Sequence, residues 1–260
     1  MDLRLALVGL AACSGGKAKA VEDARSPPPK AGALPPAVVH GYRVDAAAKT
    51  GDVQIRVEWK DVPQTLRAPG PNTKCGTPRV PALAPTTTWG VPDVLVIVDV
   101  DHGKAFAPLR ARLVVEECDF APRAIVAGPT VVLASAMLEP IAVTLQELAK
   151  PLGGAAMAAK ARTIYLPIAG HEVEAALEPD TVYAIAFGAD DVAAVVSATT
   201  PYVAVTEPSG QVVLRDVPVG THPVRAWLPG RNGADARSAA GAITVTAGQL
   251  ADLTLDISRP

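Results

Sequence analysis

Any chemistry in this chain must come from its cysteines, its histidines or its paired acids. The cysteines are Cys13, Cys75 and Cys118, and the histidines are His40, His102, His171 and His222. A zinc site needs clustered nitrogen and sulfur ligands, but there is no CxxC and no His stands near Cys75 or Cys118. The histidines form no close pair. His222 reads as a packing residue, and His171, beside Gly170, as a turn residue. Asp99 and Asp101 end an apolar stretch just before His102-Gly103. Two carboxylates so placed can hold calcium, which takes oxygen ligands, or can form an Asp-rich hairpin turn. Asp190-Asp191 and the run Glu116-Glu117-Cys118-Asp119 read as solvated segments. No spacing sets up a general acid/base pair, and no dinucleotide, P-loop, HExxH or GxSxG motif is present. The residues therefore predict no catalytic side chain, no bound cofactor and no resident metal.

The first residues, MDLRLALVGLAAC, place Arg4 and the α-amine before an apolar run, Leu5 to Ala12. That is the layout of a short secretory signal. Leu10-Ala11-Ala12-Cys13 resembles a bacterial lipobox, which implies cleavage after residue 12 and lipidation of Cys13. Residues 13–38 then read as a tether. They hold almost no large apolar side chain, so they cannot bury enough surface to offset ordering entropy, and Pro27-Pro28-Pro29 stiffens them. With Cys13 lipidated, Cys75 and Cys118 are the remaining thiols. In an oxidising compartment such a pair tends to bridge. The bridge would close a loop over residues 76–117 and stabilise by roughly 3–4 kcal/mol.

The elements behind these residues follow from composition and period. The chain has 260 residues, a net charge of −2 and 19% charged residues, below the ~25% usual for globular proteins. Near-neutral charge argues against a nucleic-acid partner, which needs a clustered basic face. No apolar run reaches the ~18–20 residues of a membrane-spanning helix. Hydrophobic residues make up 49% but aromatics only 4%, so the core must be built from small side chains, chiefly Ala and Val.

Strand patterns dominate from residue 37 onward. Val53, Ile55, Val57 and Trp59 alternate with polar residues, and Leu253, Leu255 and Ile257 do the same. Val94 to Val100 is apolar on both faces over its first half, which predicts a central strand. Further strands are predicted near 111–116, 130–136, 162–168, 171–177, 181–187, 192–198, 202–206, 211–215, 222–228 and 242–246. Pro223 predicts an edge or a bulge. Turn signals recur every ~8–12 residues, the spacing of a sandwich. One stretch departs from this: 143–161 is rich in helix formers, cut by Pro151, Gly153 and Gly154, and is expected to form a short helical excursion. The fold class is all-β, built from β-sandwich modules.

Residues 201–230 resemble a carboxypeptidase regulatory-like module, a small transthyretin-like sandwich. Thr206-Glu207-Pro208-Ser209-Gly210 stands at its first turn, Val217-Pro218-Val219-Gly220 at its second, and Trp227 at its aromatic position. Upstream, Val53–Trp59, Cys75-Gly76, Val94–Val100, Cys118-Asp119-Phe120-Ala121-Pro122 and Gly128–Ala134 follow one another. That order is similar to periplasmic plastocyanin-like proteins of the methylamine-utilisation type. The resemblance implies a cupredoxin-like fold over 39–200, with 201–260 as the second module, and it places Cys75 and Cys118 at family positions. It also implies that the copper site is lost. Ile141 stands near the first His position, Gly188 or Ala189 near the second, and Met137 could supply only a weak thioether. The strands of 52–100 are candidates to pair with the C-terminal module.

These features together point to a lipid-anchored lipoprotein of the bacterial cell envelope, on the periplasmic or the surface face of the outer membrane. It would serve as a non-enzymatic binding or structural scaffold with an unidentified protein or glycan partner. The alternatives are a periplasmic copper-binding or electron-transfer protein and a secreted hydrolase using scattered carboxylates. Thiol counting on the unfolded protein checks the disulfide: none is expected before reduction and two, Cys75 and Cys118, after it. Two reactive thiols without reductant would show the bridge to be absent.

Overall fold

Alternation decides which faces are buried. Along β2 (Thr50–Glu58), Val53, Ile55 and Val57 are fully buried, while Gln54, Arg56 and Glu58 between them are only partly covered. This pattern comes from a computed structural model that describes residues 41–62, 89–107, 110–116, 119–149, 157–187, 191–229 and 236–258. The described residues belong to one compact unit, 37–260, and all their regular structure is β.

Four sheets form two sandwiches. In the first sheet β2 lies between β15 (Gln211–Pro218), antiparallel to it, and β18 (Leu250–Asp256), parallel to it. The second sheet runs in the order β14 (Val203–Val205), β3 (Leu95–Val98), β16 (Gly220–Leu228) and β17 (Arg237–Val245). Val53, Ile55, Val57 and Leu214 of the first sheet pack against Val96, Val98, Val224 and Ile243 of the second. Strands β2 and β3, from the stretch 52–100, therefore share their sheets with strands after residue 201.

The second sandwich is formed by the intervening chain. Its third sheet runs β10 (Met157–Leu166), β9 (Ile141–Ala149), β12 (Val182–Phe187), β13 (Asp191–Ser197) and β7 (Ala124–Ala127). Its fourth runs β11 (Glu172–Ala176), β8 (Thr130–Ser135), β5 (Ala111–Glu116) and β6 (Asp119–Ala121). Leu145, Ile185, Ala193 and Val195 face Leu113, Val115, Leu133 and Ala175 across this core.

A third apolar seam joins the sandwiches. Leu95 and Trp227 of the second sheet meet Ala124, Val182, Ala194 and Val196 of the third. The layers thus stack as four sheets, and the middle two are buried on both faces where they meet, along β3 and the end of β16 on one side and β7, β12 and β13 on the other. This is why β3 reads as a continuous apolar run: Leu95 and Ile97 point into the seam and Val96 and Val98 into the first core.

The predicted helical excursion is not found. Of 143–161, the described residues lie in β9 and β10, paired antiparallel from Ile141 opposite Leu166 to Ala149 opposite Met157. Residues 150–156, with Pro151, Gly153 and Gly154, lie outside the described residues. Helix propensity is a weak prior. It loses here because β9 is laddered on both sides, to β10 and β12, and buries Val143 and Leu145 at period 2. Pro223 is also neither an edge residue nor a bulge, since it lies within β16, between β3 and β17. Its carbonyl accepts from the Asp99 N–H at 2.9 Å, so its ring nitrogen faces the same side, just past the end of the β3 ladder. The cost is the one reciprocal bond that a proline nitrogen cannot donate to the Asp99 carbonyl. The bulge occurs instead in β15, between Leu214 and Val217.

The inserted chain leaves and returns through one clasp. A short parallel pair, β1 (Arg43–Val44) and β4 (His102–Gly103), leads the chain out, and Tyr202 brings it back. Tyr42 donates its hydroxyl to the Lys104 carbonyl at 2.7 Å, and Tyr202 donates to the Asp216 carbonyl at 2.9 Å. The Tyr202 oxygen also accepts from the Lys104 N–H at 3.3 Å. The two rings meet edge-on at 6.1 Å. Gly103 sits beneath them at φ 144°, and a Cβ there would stand 2.2 Å from the Tyr202 hydroxyl. Gly103→Ala is expected to destabilise by about 1–3 kcal/mol from the backbone alone, plus the clash. Leu95→Ala, which opens the seam, should cost about 2–5 kcal/mol. Denaturant melts of both variants check these values.

Candidate functional site

The seam between the sandwiches ends in a cleft of about 460 Å³. On one side it is lined by the end of β3 and by β16, with Ile97, Asp99 and Arg225. On the other side are the end of β13 and the segment that follows, with Val196, Ser197 and Thr199. Asp180, in the turn before β12, and Tyr42 complete the lining.

Each charged group in the cleft is positioned by its strand. Asp99 follows β3 on the face that carries Leu95 and Ile97. Arg225 lies opposite Ile97 in the ladder and donates from Nη2 to Asp99 Oδ1 at 2.5 Å. Asp101 is placed differently, since its Oδ1 lies 2.6 Å from His102 Nδ1 and its Oδ2 lies 3.6 Å from Arg43. The hydrogen bond and charge of His102, with help from Arg43, hold the Asp101 carboxyl below its usual range. Asp180 adopts φ 52°, and its Oδ1 accepts from the Thr199 N–H at 3.2 Å and from the Thr199 hydroxyl.

The predicted chemistry sorts against these positions. Asp99 and Asp101 do face one region, but each meets a cation. No three carboxylate, imidazole or thiol groups converge to hold an ion among the described residues. His222 is buried and bonded through Nε2 to the Pro218 carbonyl at 2.8 Å, a packing role. His171 lies in the exposed turn before β11, its N–H donating to the Ile168 carbonyl at 3.3 Å. Glu116 is exposed, and Asp119 pairs with Arg123. Cys13, Cys75, Cys118, His40, Glu117, Gly188, Ala189 and Asp190 lie outside the described residues, as does the side chain of Asp191. Met137 sits in the turn before β9, its N–H donating to Ser135 Oγ at 2.9 Å, and Ile141 opens that strand half-buried.

Arg225, Asp180, Thr199 and Tyr42 were not singled out from the sequence. One signal was available for Arg225, a lone charge between Val224 and Ala226 in a predicted strand that is otherwise apolar to Leu228. The others enter the cleft only because distant segments meet there. No protein-family model, no curated protein and no solved structure matches this chain.

The clasp beside the cleft carries a pH signature. Burial, then the hydrogen bond and charge of Tyr202, push the Tyr42 phenol far above its usual range. Burial chiefly raises Tyr183, despite the 2.8 Å bond its hydroxyl accepts from the Glu178 N–H. Both phenols favour the neutral form when folded. Their contribution is complete below the ordinary tyrosine value of about 10 and is lost as pH rises through the folded values. Stability should therefore fall above about pH 10. In an alkaline absorbance titration, Tyr42→Phe and Tyr183→Phe should each remove one late-ionising component.

Proposed function

We propose that this chain is a membrane-anchored, non-enzymatic lipoprotein of the bacterial cell envelope. It acts as a binding or structural scaffold through its two sandwiches. The observation that carries this reading is the apolar seam of Leu95 and Trp227 against Ala124, Val182, Ala194 and Val196. A seam of that kind holds two modules as one rigid body and favours presenting a fixed surface over hinged closure. The N-terminal sequence supplies the other half: Leu10-Ala11-Ala12-Cys13 for the lipid, then a proline-rich tether that stands the rigid part off the membrane.

The sandwich of β2, β3 and β14–β18 is the transthyretin-like module on this reading, and the inserted one is a cupredoxin-like module that has lost its copper. Register supports the second assignment. Ala186 pairs with Thr144, so the start of β9 at Ile141 and the end of β12 at Phe187 lie at the same end of one sheet. In sequence, Ile141 and Gly188 or Ala189 at the family's ligand positions offer a metal no imidazole.

The anchor is tested by Cys13→Ala. Acyl chains would be the chain's only strong membrane affinity, so the variant is expected in the soluble fraction while the parent stays with membranes and takes up labelled lipid. Retention of the variant on membranes, with no lipid uptake by either form, would overturn the anchor.

A further inference from the structure

We propose that the open edge of β17 pairs with the same strand of a second copy of this chain, antiparallel and centred on Gly241. This pairing depends neither on the lipid anchor nor on the cleft.

An unpaired sheet edge offers a row of N–H and C=O groups on which another chain can add, and proteins guard it with short strands, bulges, proline or charge. Most edges here are guarded. β6, β7 and β14 are only three or four residues long, and β15 is interrupted by its bulge. β11 exposes Glu172 and Glu174, and β18 exposes Asp252 and Asp256. On β10, Lys160 and Arg162 share the alternation of Ile164 and Leu166, which face the core, and Arg162 donates across the gap to the Ala176 carbonyl. Inward charges of that kind resist an added strand. β17 differs. From Ser238 to Val245 it carries no charge and no proline. Arg237, at its start, is turned to the Ile257 and Ser258 carbonyls at 3.1 and 2.8 Å.

The ladder fixes which groups of β17 are open. Pro223 of β16 directs its carbonyl to Asp99, on the β3 side. Successive residues of an antiparallel strand direct their polar groups to opposite sides, so His222, Val224 and Ala226 direct theirs to Ile243, Gly241 and Ala239. The alternate residues Ser238, Ala240, Ala242 and Thr244 therefore direct theirs to the open edge. All four are exposed, so the inserted sandwich does not overhang it.

The occupant follows from the sequence of the edge, which is self-complementary. With Gly241 opposite Gly241 of a second copy, Ala240 meets Ala242, Ala239 meets Ile243 and Ser238 meets Thr244. Small residues meet small ones, hydroxyl meets hydroxyl, and the core-facing apolar residues meet each other. The four residues that open to the edge fall opposite one another as hydrogen-bonded pairs. Centring on Ala240 instead would set Ile243 against Arg237. Two neutral edges meet without repulsion, and the pairing extends the apolar layer past Ala239 and Leu253, which the first core leaves partly exposed.

The test is sedimentation velocity of the full chain in a density-matched detergent. The mass is expected to rise from one chain to two across roughly 1–100 μM. Ala240→Pro removes an N–H that faces the open edge and no bond to β16, so it should keep the chain monomeric throughout. Where that variant lowers the melting temperature, two double variants at exposed positions serve. Ala240→Lys with Ala242→Lys sets like charges opposite each other twice and should weaken the dimer about two- to thirtyfold. Ala240→Glu with Ala242→Lys sets opposite charges at the same places and should restore it. A chain that stays monomeric at every concentration, a dimer indifferent to all three variants, or one weakened equally by both double variants would each overturn the proposal.

Discussion

The seam between the second and third sheets is the constraint on which the other layers depend. A sheet buried on both faces can carry few polar side chains. It must also keep close spacing, with sheets roughly 10 Å apart. The chain meets both demands with small residues: Ala124, Ala194 and Val196 on one side leave room for Trp227 and Leu95 on the other. On their opposite faces the same strands feed separate cores, Ala193 and Val195 of β13 into the inserted sandwich and Val96 and Val98 of β3 into the first. The composition, rich in Ala and Val and poor in aromatics, suits these doubly covered strands.

An insertion into a sandwich is stable only if its two ends are brought together, and the clasp does this with side chains rather than with more strand. Tyr42, Lys104 and Tyr202 lie on three segments distant in sequence and are joined by hydroxyl-to-backbone bonds. Lys104 adds a reach from Nζ to the Arg215 carbonyl at 2.6 Å. The buried tyrosine hydroxyls satisfy polar backbone at the point where regular pairing stops, which is the requirement for any buried chain crossing. Glycine at 103 is needed because the tyrosine oxygens occupy the space of a side chain.

Much of the fold could be read from residue types because strand period and burial report the same physics. The alternation of Val53, Ile55 and Val57 marks a strand with one wet face, and the apolar run at 94–100 marks a central strand. The segment around 143–161 misled because Ala, Leu, Glu and Gln favour a helix when isolated, whereas pairing on both edges of β9 is a tertiary fact. The cleft was nearly illegible. Asp99 could be flagged as an acid ending an apolar strand, but Asp180 and Thr199 gain their meaning from a turn and a strand end that meet only after folding.

Arg225 shows how a site can grow out of a packing seam. Along β16 and β3 the seam face carries Trp227 opposite Leu95, then Arg225 opposite Ile97, with Asp99 next on β3. The surface thus turns from apolar to charged within one side-chain step. A guanidinium in a central strand is costly without a partner, and Asp99 offsets that cost only in part, because Nε stays unsatisfied. Leucine or valine at 225 would carry the seam's apolar face out to solvent, while Val224 and Ala226 beside it belong to the first core on the other face. With its side chain 35% exposed, against 38% for the Asp99 it pairs with, the arginine caps the apolar seam at the point where it reaches solvent.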